Sequence, residues 1–133
     1  MGTLLGFDYG TAKIGVAVGQ TITSTATPLA TLRSRCQRPD WDGIGRLIAL
    51  WQPEELVVGL PRDLDGGDTE VTGQARRFAR QLGSRYRLTV HMIDERLTSM
   101  EARSQLGRAP KTIEELDAVA ARLILETWLR ERD

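Results

Sequence analysis

Cysteine is almost missing from this sequence. Cys36 stands alone, so no internal disulfide can form and no Cys/His set has zinc-ligand spacing, which points to a reducing cytoplasm. Histidine is equally scarce. His91 falls within an apolar run with no serine or cysteine arranged around it, so a nucleophilic triad has no base and the ring belongs to packing or surface. No apolar stretch is long enough to cross a bilayer, and the N-terminus enters a core strand in place of a basic leader. The expectation is a soluble, cytoplasmic protein with no membrane partner. Net charge is absent too: 18 basic residues balance 18 acidic ones, so composition does not announce a nucleic-acid binder. At 133 residues the chain fits one domain, 1–133, large enough to bury a core without disulfides or a structural metal.

What the sequence does hold is organised around its first twenty residues. Leu4 to Asp8 is an apolar run ending in a carboxylate, and after Gly10 an alternating run resumes from Ile14 to Gly19; this reads as two strands joined by a tight turn. Ile14, Val16 and Val18 share one face of the second strand, and Gly15, Ala17 and Gly19 share the other. That second face is nearly bare, so a backbone or ligand can approach it. Asp8, on the same strand face as Gly6, stands at its edge.

Ser24 to Arg33 continues as a third antiparallel strand, interrupted at Pro28 and therefore near an edge. Trp41, Ile44, Ile48 and Trp51 recur at helical spacing between an Asp40 cap and Pro53, with the tryptophans assigned to the core. Leu56 to Leu60 is continuously apolar, as in a strand covered on both faces. The aspartates of the loop Pro61 to Thr69 are read as turn residues, with a metal or substrate contact left open. Val71, Ala75, Phe78, Ala79 and Leu82 mark a second helix that Gly83 is placed to end. Leu88 to Ile93 is a strand delivering Asp94, Glu95 and Arg96 to its carboxyl end. Thr98 with Glu101 caps a helix to about Leu106, and Thr112 with Glu115 caps the last one. In that last helix Asp117 shares a stripe with Ile113, Ala121, Ile124 and Trp128. A carboxylate in an apolar stripe needs a partner, a metal or a shifted pKa, unless it merely answers the helix dipole in the first turn. The small Ala120 and Ala121 would let this helix settle on the bare face and bring Asp117 toward Asp8.

The pattern predicts an α/β fold: a five-stranded mixed sheet, antiparallel in its N-terminal three strands, with helices on both faces. Ligands of such sheets sit at the carboxyl ends of strands, where Asp8 and Glu95 lie and Asp117 can be brought. Three carboxylates without His or Cys suit hard divalent ions, Mg2+ or Mn2+, in an acid-only site. Two ions ~4 Å apart hydrolyse phosphodiesters. Arg76, Arg77 and Arg80 face outward from the second helix and, with Lys13 and Arg96, are candidate phosphate contacts; a charged run by itself is more often a solvated face.

Four stretches in order, FDYGTAKIGVAVG (Phe7 to Gly19), VVGLPRDLDG (Val57 to Gly66), DERLTS (Asp94 to Ser99) and DAVAARLIL (Asp117 to Leu125), resemble the YqgF/RuvX family, described as pre-16S rRNA nucleases and earlier as Holliday-junction resolvases. The resemblance spans nearly the whole chain. It implies an RNase H-like fold, divalent-metal dependence, an acidic site at Asp8, Glu95 and Asp117, and a role in maturing the 5′ end of small-subunit rRNA, with structured RNA, ribosomal particles or branched DNA as partners. The chain departs from the family pattern at Arg62-Asp63, where Leu-Asn is expected, and before Asp117, where Lys111 is the only lysine of a shortened stretch. Beside the nuclease stand two other readings. The Asp8-x-Gly10 pattern also resembles the first phosphate loop of actin- and hexokinase-like proteins, which need a second domain, and the fold could serve as a non-catalytic nucleic-acid or ribosome-binding module. The residues do not choose between monomer and homodimer.

Overall fold

A computed structural model describes residues 2–62, 65–95 and 113–131. Five strands, β1 (Thr3–Tyr9), β2 (Lys13–Gln20), β3 (Thr25–Arg33), β4 (Glu55–Leu60) and β5 (Thr89–Asp94), form one sheet in the order β3-β2-β1-β4-β5. β1, β2 and β3 pair antiparallel, and β4 and β5 join β1 in parallel. The parallel half requires crossovers, which α1 (Trp41–Trp51) and α2 (Glu70–Tyr86) supply. α3 (Ile113–Glu131) follows β5. Among the described residues no helix is long and apolar enough to cross a membrane.

The alternation of β1 and β2 divides the interior in two. Phe7, Ile14, Val16, Leu56 and Val58 face α1 and α2, where Ile44, Phe78 and Leu82 complete a buried cluster. Leu4, Ala17 and Val57 face the other way, against Ala121, Ile124, Leu125 and Leu129 of α3. The helices therefore lie on both faces, as the sequence predicts. Pro28 sits in β3, the edge strand, at a bulge: Val16 pairs with Ala30 and Ala17 with Pro28, leaving Leu29 as the extra residue.

Asp40 caps α1, its carboxylate accepting from Gly43 N at 3.0 Å. α2 departs from expectation at its far end. Gly83 does not terminate it; the helix runs on to Tyr86, and Arg87 takes the left-handed cap at φ 54° with its N–H donating to Gly83 O. A glycine inside a helix costs only ~1 kcal/mol, and the extra turn packs Tyr86 against the first core. At its other end Thr69 and Thr72 cap each other, and the buried Thr72 hydroxyl also donates to Pro61 O, pinning the start of α2 to the end of β4. His91 is a packing residue, as its isolation suggests: it bonds Glu55 at 2.9 Å and lies against Trp128. The expected helix from Thr98 to Leu106, the Thr112/Glu115 cap, Arg96, Lys111 and Asp63 fall outside the described residues.

Candidate active site

Asp8 lies one residue from the carboxyl end of β1, in the middle of the sheet. Its partner across the antiparallel pair is Gly15 and across the parallel pair is Gly59. Paired residues present their side chains to the same face, so Asp8 stands in a clearing with no side chain on either flank. Both gaps are filled from elsewhere. A Cβ on Gly15 would fall on the backbone carbonyl of Asp117, and one on Gly59 would come within 2.7 Å of Glu95 Cγ. The two glycines thus bring the second and third carboxylates to the first. Gly15 is legible in the sequence as part of the bare face. Gly59 is not, because its role depends on the β1–β4 register; its one signal is a glycine inside a buried apolar run.

Glu95 follows β5 directly, and its N–H donates to Leu60 O at 3.0 Å, extending the ladder to the site. Its carboxyl bonds Asp8. Burial, then the hydrogen bond and charge of Asp8, then the charge of Asp94, raise the Glu95 pKa from 4.5 to about 10. Burial is also the main cause of the raised Asp8 pKa, opposed by the Glu95 hydrogen bond and reinforced by the charge of Asp117. One proton is shared, with Glu95 as donor and Asp8 as acceptor.

Asp117 stands in the second turn of α3 rather than the first, where the dipole would have explained it. Lys13 Nζ lies 3.5 Å from its Oδ2, an oxygen that is shielded from solvent and accepts no hydrogen bond among the described residues. Among those residues no three acidic, His or Cys side chains are grouped as a ready metal cage: Asp8 and Glu95 stand together, and Asp117 is turned to Lys13.

Arg62, unremarked as a contact in the sequence, joins the site from the loop after β4. Its guanidinium lies 3.7 Å from Asp94 Oδ2 and 3.3 Å from Asp68 Oδ1, and Asp68 in turn meets Arg76 at 3.2 Å. Arg76 is therefore engaged in holding the loop. Asp65 accepts from Gly67 N, a turn contact as expected of that segment. Arg77 and Arg80 are exposed on α2, which covers the sheet face opposite Asp8.

This arrangement of sheet, helices and acids has counterparts. The family model described as RuvX, Holliday junction resolvase, matches residues 2–131. The chain belongs to the RuvX family. A protein of Legionella pneumophila named "Putative pre-16S rRNA nuclease" is 45% identical, over 99% of this chain and 98% of its own. An Azotobacter vinelandii protein of the same name is 48% identical, over 97% and 94%. Among solved structures, RuvC of Thermus thermophilus in complex with a Holliday junction substrate superposes with a TM-score of 0.55 at 18% identity, covering 98% of this chain and 94% of that one. The fowlpox virus Holliday junction resolvase gives 0.58 at 11%, covering 97% and 99%. The fold of this RuvX chain is thus the RNase H-like fold of RuvC-type resolvases.

Proposed function

We propose that this chain is a divalent-metal-dependent nuclease that hydrolyses phosphodiester bonds in maturing the 5′ end of pre-16S rRNA, with Asp8, Glu95 and Asp117 as catalytic and metal-holding residues. The observation that carries the reading is the Asp8–Glu95 pair at the clearing left by Gly15 and Gly59, with the Asp117 backbone seated against Gly15. Membership of the RuvX family and the rRNA nuclease name of its relatives support it.

The donor set fits a hard ion. It is all oxygen, it includes the Asp117 Oδ2 that accepts no hydrogen bond among the described residues, and its pair retains a proton that a cation would replace. Mg2+ or Mn2+ held by Asp8, Glu95 and Asp117, as one ion or two, would supply an activated water and neutralise charge on the leaving oxygen. The chain's own groups do the rest. Lys13 balances Asp117 and offers an ammonium to an incoming phosphate. Arg62 offsets Asp94, so that Glu95 faces one fewer uncompensated charge. Cytoplasmic location and structured RNA in ribosomal particles as the partner belong to the same reading.

A second substrate, branched DNA, is favoured by the family's description and by the RuvC fold. Purified protein incubated with Mg2+ or Mn2+ on precursor 16S rRNA 5′ ends and on four-way DNA junctions separates the two. Cleavage of the rRNA is expected. Cleavage of junctions alone would transfer the activity to DNA, and cleavage of neither with tight binding to ribosomal particles would make the chain a binding module.

A further inference from the structure

On the sheet face away from the carboxylates the surface opens into a cleft of about 420 Å³ between the segment before α1 and helix α2, within the ~300–1,000 Å³ of small-ligand sites. Its floor is an aromatic column. Tyr9 and Trp41 each lie against Phe78, at 5.1 and 5.6 Å between ring centroids, and Arg85 lies 4.1 Å above the Trp41 ring. A guanidinium seated over an indole still has N–H groups to offer an anion. Arg38 and Arg77 line the same cleft. So does Gln74. A cationic, aromatic cleft asks for a ligand with a plane and a negative charge together. A nucleotide has both.

The cleft does not end there. Arg38, Pro39 and Trp41 are shared with a second cavity of about 850 Å³, lined by Arg33, Arg35 and Arg46 and also by Asp42 and Asp40, whose carboxylate caps α1. Arg35, Arg38, Arg46 and Arg77 make no ion pair among the described residues. Arg35 and Arg38 are presented by a two-residue turn in which Cys36 and Gln37 both hold positive φ, 50° and 63°, closed by reciprocal backbone bonds of 3.0 and 2.8 Å. Arg33 is the sheet partner of Lys13, and Lys13 meets Asp117. A basic path therefore runs from Arg85 and Arg77 through Arg38 and Arg33 to the edge of the carboxylate site.

We propose that this groove binds an unpaired segment of nucleic-acid strand, with one base stacked on the Arg85–Trp41–Phe78 column and the backbone phosphates on Arg38, Arg77 and Arg33. The proposal rests on the nuclease reading for its substrate class and extends it with a gripping site remote from the acids. Stacking and phosphate contacts of this kind hold single strands with little sequence preference.

The test is fluorescence anisotropy with a labelled single-stranded RNA of about ten nucleotides, in EDTA so that no cleavage occurs. The Arg38→Ala/Arg85→Ala protein is expected to bind at least about tenfold more weakly and with a shallower salt slope. Should loss of Arg85 unsettle Trp41 and the fold, Arg77→Gln gives the same reading from an exposed position, weakening the single strand. Unchanged affinity in folded variants overturns the groove, as does equal weakening toward the RNA duplex of the same sequence, or a free mononucleotide binding as tightly as the strand. Failure of the nuclease reading looks different: the groove variants lose strand binding, yet the wild type cleaves nothing.

Discussion

Asp8 and Glu95 hold one proton between them because burial and mutual repulsion make two charges costly. The consequence for stability has a definite sign. The unfolded chain releases the Glu95 proton near its ordinary value of 4.5, whereas the folded protein keeps it up to about 10, so the folded state binds more protons in that window and stability falls as pH rises through it. Thermal melts in EDTA should therefore show the midpoint dropping from mildly acidic to mildly alkaline pH. Glu95→Gln should flatten that drop, and an unaltered slope in the variant would contradict the shared proton. Mg2+ or Mn2+ should restore the midpoint at the alkaline end, where the carboxylates can exchange their proton for the ion.

The elements owe their positions to small residues. A methyl group on Gly15 has nowhere to go but the Asp117 backbone, so Gly15→Ala should lift α3, cost ~1–3 kcal/mol in denaturant melts, and remove cleavage by parting Asp117 from Asp8. Gly73 is the contrasting case. It lies within α2 with open space where its Cβ would be, so Gly73→Ala should raise stability by ~0.5–1 kcal/mol. Leu125, wholly buried against Gly6, should lose ~2–5 kcal/mol on truncation to alanine. Much of this was legible beforehand: alternation gave β1 and β2 with their bare face, an unbroken apolar run gave β4, and Asp40 gave the start of α1. What escaped notice depends on pairing across long stretches of chain. Gly59 matters only because β4 lies beside β1 in one register, and Arg62 only because the β4–β5 register sets Leu60, and with it the following loop, beside Asp94. The end of α2 was misjudged since a helical glycine yields to the packing of Tyr86. Trp41 packs against the core as its helical spacing predicts, and it also carries Arg85 over its ring.

At the scale of the whole molecule, a chain of zero net charge still sorts its charges. Acids converge at the ends of β1 and β5 on the α3 side, and arginines line the cleft on the α1 and α2 side. Binding to RNA should accordingly be strongly salt-dependent despite the neutral composition, with log K falling by ~0.7 per phosphate contact against log salt for a single strand; a flat salt profile would show that the arginines serve solubility only. The sheet is what joins the two sides, since Asp8 and Tyr9 are consecutive residues and strand neighbours point to opposite faces. The most direct measurement of the central claim is cleavage of a precursor 16S rRNA 5′ end at low salt, with Mn2+ or Mg2+ and with EDTA, by the wild type and by Asp8→Asn. The account predicts metal-dependent cleavage by the wild type and none by Asp8→Asn, with the variant's fold intact. Undiminished cleavage by Asp8→Asn, or cleavage by the wild type in EDTA, would contradict the carboxylate site.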